Sequence, residues 1–333
     1  MKPLSRFLAL TLFLILTLTA CVSATPAVTP TMTETRIVLP TVTSAPTVGA
    51  TSTPAQISAT DGLGRVVMLA APAQRIISLA PSNTEILFAL GAAGQVIARD
   101  SFSDFPPEVT TVPDIGSTWE TLNLEQLVAL QPDLVLAAGI QSPEQVKAME
   151  DAGLTVFLVP NPVVLEDLYA NLEAVGRLIG REAEATALIE SLKARVAAVD
   201  AKIATINQKP TVFYELDASQ DPAKPWTAGP GSFHDALIAR AGGMNIAAKL
   251  DSAWAQMSLE QIVAADPDII LLGDAKWGIT PESVAQRPGW GSLRAVKEGR
   301  VIPFDDDTIS RPGPRLVDAL ENLARILHPE IFK

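Results

Sequence analysis

One tryptophan-to-glutamate unit occurs twice in this chain, and it constrains the fold more than any other feature. The segment WETLNLEQLVALQPDLVLAAG begins at Trp119, and WAQMSLEQIVAADPDIILLGD begins at Trp254. The tryptophan, glutamate, glutamine, proline and aspartate of the unit all recur at a constant offset of 135 residues. The repeat therefore predicts two similar lobes that carry this unit at equivalent positions.

Both copies lie among short apolar runs that alternate with helices of about ten residues. The strand-like runs are RIISLA, QVIARD, DLVLAA and LTVFLV in the first half, and TVFYEL, DIILLG and VIPF in the second. Strands that are apolar throughout indicate a parallel sheet covered by helices on both faces. We therefore predict an α/β fold with two Rossmann-like lobes over residues 59–162 and 208–333.

The segment between the lobes, residues 163–207, has the apolar periodicity of a helix. About 25 helical residues would span roughly 37 Å, which suits a rigid strut between lobes. A continuous helix has no loop hinge, so we expect closure of the two lobes to be small.

Local signals mark several helix ends. Ser82 and Glu85 have the spacing of a capping box, and Gly91 follows as a stop. Asn123 and Ser258 are predicted N-caps of the two repeated helices.

The N-terminus predicts export. Residues 1–20 fit a signal peptide whose apolar core is too short for a membrane span. They end at LTAC, which resembles a bacterial lipobox and implies cleavage and lipidation at Cys21. Residues 21–58 are rich in Thr, Ser, Pro and Ala and are predicted to be a disordered tether. Cys21 is the single cysteine, so we expect an extracytoplasmic, membrane-anchored protein without disulfides.

Composition and motifs exclude several functions. The net charge is −12 without a basic cluster, which argues against nucleic acid as a partner. The sequence has no G-x-S-x-G, P-loop, H-E-x-x-H or C-x-x-C motif. A metallocluster enzyme would need cysteines that the folded body lacks. We therefore predict a protein that is not an enzyme and has no cofactor and no resident metal.

The repeated unit contains both structural and functional candidates. We expect Leu124, Val128, Leu259 and Val263 to be core positions of the two helices. The glutamates of the unit, Glu125 and Glu260, lie in first turns, where the helix dipole alone would favour them. Trp119 and Trp254 precede the helices in loops, outside the apolar period. If the lobes face each other, both tryptophans would line one cleft at the carboxyl ends of the strands.

From about residue 60 to its end, the chain resembles the cobalamin-binding proteins of ABC importers. The segments that carry the resemblance are RIISLAPSNTEILFALG, SFSDFPPEV, STWETLNLEQLVALQPDLVLAAG, WAQMSLEQIVAADPDIILLGD and VIPFDDDTISRPGPR. The wider group includes ferric-siderophore and haem carriers with two lobes joined by a helix. The resemblance implies that Glu125 and Glu260 pair with arginines of a permease dimer that works with ATPase subunits.

The resemblance also implies a ligand site for cobalamin, the transported molecule. Its residues would be Phe102, Phe105, Trp119, Trp226, Trp254, Asp307 and Arg311. Two tryptophans of the family pattern are replaced here by Ala138 and Thr308, and Phe102 stands in place of a tyrosine. A corrinoid is a large amphipathic ring system, which aromatic side chains can cover while a few polar groups orient it. We expect a monomer that binds one such molecule.

Histidines and cations bear on the alternatives. A haem carrier would place an axial histidine or tyrosine in the cleft. His234 is at a helix start on the cleft side, and we expect it to be a partly exposed helix residue, the alternative being a ligand or metal contact. We expect His328 to be structural and Tyr214 to be a strand residue. A ferric-siderophore carrier would need positive charge, for which Arg99 and Arg311 are the candidates.

Overall fold

The computed structural model describes residues 56–119 and 122–332. The predicted signal peptide, Cys21 and nearly all of the predicted tether lie outside these residues. The first strand begins at Ile57, slightly before the expected start of the first lobe. Among the helices of the described ranges, none combines the length and the apolar character that a transmembrane helix requires.

The N-terminal lobe is built on a four-stranded parallel sheet. Its strands and helices are β1 (Ile57–Thr60), β2 (Val66–Leu69), β3 (Ile76–Ser78), α1 (Pro81–Ala89), β4 (Val96–Arg99), α2 (Leu124–Ala129), β5 (Leu134–Ala138), α3 (Pro143–Asp151) and β6 (Val156–Val159). The strand order is β4-β3-β5-β6, while β1 and β2 form a separate antiparallel pair.

The C-terminal lobe repeats this topology. Its elements are β7 (Thr211–Glu215), β8 (Trp226–Ala228), α6 (Phe233–Arg240), β9 (Met244–Asn245), β10 (Trp254–Gln256), α7 (Leu259–Ala265), β11 (Ile269–Leu272), α8 (Pro281–Ala285), α9 (Arg294–Lys297), β12 (Val301–Pro303), α10 (Asp306–Ile309) and α11 (Leu316–Leu327). The parallel sheet has the order β9-β7-β11-β12, and β8 and β10 form an antiparallel ribbon. The predicted α/β fold with two similar lobes is confirmed.

The repeated Pro-Asp pairs perform the same structural task in both lobes. The Asp133 carboxylate accepts backbone hydrogen bonds from Gln74 and Arg75 at 2.9 Å each, just before β3. The Asp268 carboxylate accepts the backbone N–H and the hydroxyl of Thr211 at 2.7 Å each, at the start of β7. In each lobe the strand that follows the repeated helix is thereby fixed beside the first strand of the parallel sheet.

The segment between the lobes forms two helices, α4 (Leu165–Ile179) and α5 (Glu182–Ile203), instead of one uninterrupted helix. Gly180 ends α4 with φ 71°, and a Cβ atom at this position would lie 2.9 Å from the side chain of Pro72. The 22 residues of α5 span roughly 33 Å. The helix packs against α4 and α11, and Arg195 of α5 binds Asp318 and Glu321 of α11.

Apolar side chains fill both sides of the sheets. One continuous core contains residues of both lobes and of the helices between them, for example Leu136, Leu172, Val196, Leu271 and Leu320. Each lobe has a second core on the opposite face of its sheet. The shared core explains why the lobes and the connecting helices form one compact body.

The capping box predicted at Ser82 and Glu85 is wrong. Helix α1 has Ala80 as its N-cap, and no side chain caps its first turn. Glu85 is buried and instead binds Arg315 of the C-terminal lobe, 230 residues further along the chain. The predicted stop at Gly91 is confirmed, since this residue has φ 69° and directly follows Leu90, the C-cap of α1.

Candidate functional site

Two predicted ligand residues of the N-terminal lobe, Phe102 and Trp119, lie against each other and are called the N-lobe pair. Their ring centroids are 6.4 Å apart at an interplanar angle of 79°. Trp119 is 62% exposed, and Phe102 is also exposed. The hydroxyl of Thr118 donates to the carbonyl of Leu79, just beyond β3, at 2.7 Å. The pair therefore lies where parallel sheets of this topology bind ligands, near the carboxyl ends of the strands.

Two predicted ligand residues of the C-terminal lobe, Trp226 and Trp254, lie on the antiparallel ribbon of β8 and β10, the C-lobe ribbon. Trp226 is paired with Gln256, and Trp254 with Ala228. Since paired residues and their i+2 neighbours share a face, both indoles project from the same face of the ribbon. Trp254 was expected in a loop, and its place in β10 corrects that expectation.

Trp254 is 41% exposed and rests on two rings of helix α6. Its centroid is 5.5 Å from that of Phe233 and 5.3 Å from that of His234. The remaining ring surface of Trp254 is open to solvent, as is part of Trp226. The C-lobe ribbon thus presents two partly exposed indoles, one of them on an aromatic base.

His234 is fully buried, so the expectation of a partly exposed residue is wrong. Its Nε2 lies 3.1 Å from the Ser310 hydroxyl, which donates to Asp306 at 2.7 Å. Tyr214, confirmed as a strand residue of β7, donates to the same carboxylate oxygen at 2.8 Å. Since the Ser310 proton goes to Asp306, His234 must donate through Nε2. Burial lowers the pKa of His234 to about 3, which keeps the imidazole neutral.

The two lobes meet in an interlobe charge cluster made of Glu85, Asp104, Lys276, Asp307, Arg311 and Arg315. The central member is Arg311, whose guanidinium contacts Asp104 at 2.5 Å, Asp307 at 3.2 Å and Glu85 at 3.6 Å. Asp104 and Glu85 belong to the N-terminal lobe, so this one arginine bridges the lobes. The predicted ligand residues Asp307 and Arg311 are therefore already engaged with each other.

The other charged members of the cluster are paired with groups of opposite charge as well. Arg315 binds both oxygens of Glu85, at 2.8 and 2.5 Å, and Lys276 binds Asp307. Phe105, another predicted ligand residue, lies beneath the Arg315 guanidinium at 4.1 Å. Burial raises the pKa of Glu85 despite its two arginines. Partial burial is the largest single influence on the pKa of Asp104 and acts to raise it, but the hydrogen bond and the charge of Arg311, with smaller contributions, together outweigh burial and lower the pKa.

Sequence reasoning missed four members of this cluster, namely Glu85, Asp104, Lys276 and Arg315. No local pattern marks them, because each pair joins residues that are far apart in the chain. The two positions where a tryptophan of the family pattern is replaced lie near the same sheet edges. Ala138 is buried at the end of β5, and Thr308 is half-buried in α10.

A second set of charges supports the loop that leads into Trp226. Arg287 binds Glu215 with two hydrogen bonds of 2.7 and 2.9 Å, and Asp274 accepts the backbone N–H of Ala218 at 3.2 Å. Asp274 and Glu215 are buried near each other. Burial, followed by the charge of Glu215, raises the pKa of Asp274 to about 7.

The repeated glutamates lie on the outside of the two lobes, in matching positions. Glu125 is in the first turn of α2 after the N-cap Asn123, and Glu260 is in the first turn of α7 after the N-cap Ser258. Both N-caps are confirmed, and both glutamates are exposed. Within the described residues, neither carboxylate forms a salt bridge.

The exposure of two valines beside these glutamates differs from the prediction. Val128 and Val263 were expected in the core but are each 41% exposed, while Leu127 and Ile262 are buried in their place. Leu124 and Leu259 are half-buried. Since residues three apart share one face of a helix, each lobe presents an exposed glutamate and an exposed valine together.

Comparison with known proteins agrees with this architecture. Residues 76–308 match the family model described as periplasmic binding protein. The chain is 32% identical over 280 residues to YvrC of Bacillus subtilis, an uncharacterized ABC transporter substrate-binding lipoprotein, with 83% of this chain and 87% of that protein covered. It is 32% identical over 263 residues to the vitamin B12-binding protein of Salmonella typhimurium, with 79% and 92% covered.

Solved structures similar to this chain are named for the binding of different ligands. The vitamin B12-binding protein BtuF of Vibrio cholerae superimposes with a TM-score of 0.68 at 26% identity, covering 78% of this chain and 98% of that one. The haem-binding protein RhuT of Roseiflexus superimposes with a TM-score of 0.70 at 28% identity, covering 77% and 98%. The resemblance seen in the sequence is thus confirmed at the level of the family, and this chain belongs to the periplasmic binding proteins of ABC importers.

Proposed function

We propose that this protein captures cobalamin or a related corrinoid between its two lobes and delivers it to an ABC permease. The observation that carries the proposal is the exposure of aromatic side chains in both lobes, in the N-lobe pair and on the C-lobe ribbon. Soluble proteins seldom leave several large rings open to solvent without a binding function. A corrinoid offers flat, apolar faces of a size that such rings can cover.

Charge supports a neutral ligand over an anionic one. Every cation of the interlobe charge cluster is matched by a carboxylate of the same cluster. Arg99, the other candidate cation, is buried and bound to Asp114 at 3.2 Å. An anionic siderophore or the propionates of haem would have to displace these carboxylates, whereas the amide rim of a corrinoid needs only hydrogen bonds.

The side chains that commonly bind haem iron also favour the corrinoid. The chain has two histidines and two tyrosines. All four are buried: His234, His328, Tyr169 and Tyr214. None of them therefore offers an axial ligand to a haem between the lobes without a rearrangement of the core.

Delivery to the permease rests on the repeated helices. Glu125 and Glu260 would pair with arginines on the two subunits of a permease dimer, which works with its ATPase subunits. The exposed Val128 and Val263 would add an apolar contact beside each pair. One such contact on each lobe would orient the carrier over the transport pathway.

The N-terminal segment completes the proposal. Lipidation of Cys21 would hold the protein at the outer face of the cytoplasmic membrane or in the periplasm, and the tether would let the body reach the permease. The homologous YvrC is named a lipoprotein, which supports this part.

The ligand is tested by calorimetric titration with cyanocobalamin, haemin and a ferric hydroxamate siderophore in parallel. We expect cyanocobalamin to bind at a ratio of one to one with a Kd below about 1 μM. This Kd corresponds to a favourable binding free energy of roughly 8 kcal/mol. Binding of haemin or the siderophore, with none of cyanocobalamin, would contradict the proposal and favour another branch of the family.

A further inference from the structure

A tryptophan outside the predicted ligand residues, Trp277, is 76% exposed, the highest value among the large apolar side chains of the described residues. It ends the 3-10 turn Gly273–Trp277, which follows β11. The turn therefore begins at the carboxyl end of a central strand, the edge of the sheet where ligands bind in this architecture. An indole this exposed does not contribute to the core.

The base of this turn is fixed by close packing. A Cβ atom on Gly273 would lie 2.8 Å from the ring of Tyr214 and 2.9 Å from the carboxylate of Asp306, so only glycine fits there. The next residue, Asp274, is buried and accepts the backbone N–H of Ala218. Trp277 thus projects from a rigid support.

The turn also connects Trp277 to the predicted ligand residues. The ammonium of Lys276 lies 5.2 Å from the centroid of the Trp277 ring and binds the Asp307 carboxylate. Asp307 contacts Arg311, and Arg311 contacts Asp104 of the N-terminal lobe. Asp104 lies between Phe102 and Phe105 in the sequence. A chain of charged contacts therefore runs from Trp277 to the segment that carries two predicted ligand rings.

We infer that Trp277 is a further ligand contact, an additional aromatic plate on the C-terminal lobe, and that Lys276 is its positioning residue. The ammonium would hold the indole in place by a cation–π contact, since such contacts stabilise an exposed ring without covering it. The open face of the ring would then cover part of a flat ligand. This inference rests on the proposed function and extends it to a residue that the sequence pattern did not mark.

Fluorine NMR on the full chain labelled with 5-fluorotryptophan tests the contact directly. The chain has five tryptophans, and each resonance is assigned by its loss in a Trp→Phe variant. On addition of cyanocobalamin we expect the resonances of Trp277, Trp119 and Trp254 to shift. The resonance of Trp290, which is fully buried in the C-terminal core, should stay in place as an internal control.

Two outcomes separate this inference from the proposed function. If Trp119 and Trp254 shift but Trp277 does not, the inference is wrong and the corrinoid site remains. If no tryptophan resonance shifts, the proposed function fails and the inference fails with it.

Titration of variants gives a second readout. Trp277→Ala should raise the Kd for cyanocobalamin about tenfold, and Trp277→Phe should raise it less than about threefold, as expected for a stacking contact. Met244→Ala is the matched control, because Met244 is exposed beside Thr211, at the opposite end of the sheet. Lys276→Met should broaden or shift the Trp277 resonance even without ligand. Equal Kd values for Trp277→Ala and the unmodified protein would overturn the inference.

Discussion

Replacement of Trp254 by alanine tests whether the exposed face of this ring binds ligand. A tryptophan side chain can bury about 250 Å², and 41% of Trp254 is exposed, so a ligand can cover at most about 100 Å² of it. At about 25 cal/mol per Å² this area is worth about 2.5 kcal/mol. Because a ligand rarely covers the whole face, we expect a loss of about 1 to 2.5 kcal/mol, or a Kd for cyanocobalamin raised about 5- to 70-fold.

The assay is calorimetric titration of Trp254→Ala and Trp254→Phe beside the unmodified protein, with thermal unfolding of each. The phenylalanine variant should keep part of the affinity, because it retains a ring on Phe233 and His234. The alanine variant also removes these contacts. The comparison therefore requires that the thermal unfolding of this variant begins above the titration temperature. A Kd within twofold of the unmodified value, in a folded variant, would refute the role of Trp254 as a ligand contact.

Three further predictions concern docking, pH and anchoring. The double substitution of Glu125 and Glu260 by alanine should abolish corrinoid uptake by cells and leave the Kd for the corrinoid unchanged. The control is alanine at Glu144 and Glu282, exposed glutamates in the first turns of α3 and α8, which should change neither uptake nor Kd. If the Glu125 and Glu260 variant lost affinity as well as uptake, these residues would belong to the ligand site or the fold. The pKa of Asp274 is raised to about 7 from 3.8, so its carboxyl stays protonated in the folded state, and the free energy of unfolding falls as pH rises from about 4 to 7. Asp274→Asn should remove this fall, which amounts to at most about 4 kcal/mol. Equal pH profiles of urea unfolding for the variant and the unmodified protein would contradict the prediction. Metabolic labelling with palmitate should mark the protein and not its Cys21→Ala variant. The variant should appear in the soluble extracytoplasmic fraction. Labelling of the variant would exclude Cys21 as the anchor.

Much of the fold could be predicted because the relevant signals are local and occur twice. The N-caps Asn123 and Ser258 each accept a backbone hydrogen bond three residues ahead. The apolar strands that follow them are buried on both faces, as continuous apolar runs predict. The repeat at an offset of 135 residues predicted two lobes of equal topology, and the two strand orders match.

Predictions failed where the deciding partner is distant in the sequence. Glu85 has the spacing of a cap, but a buried pair with Arg315 decides its conformation. Val128 and Val263 fit an apolar period, yet the period does not tell which side of a short helix faces the core. His234 begins a helix near polar residues, and its burial depends on the rings of Tyr214, Phe233 and Trp254.

Hydrogen exchange with and without cyanocobalamin tests the central claim, that one corrinoid contacts both lobes. We predict slower exchange of backbone amides in two separate segments, around the N-lobe pair at residues 100–119 and along the C-lobe ribbon at residues 226–256. Amides at the opposite end of the C-terminal sheet, near residues 208–212, should exchange at an unchanged rate. Protection confined to one lobe, or absent from both segments, would contradict the claim that the ligand is held between them.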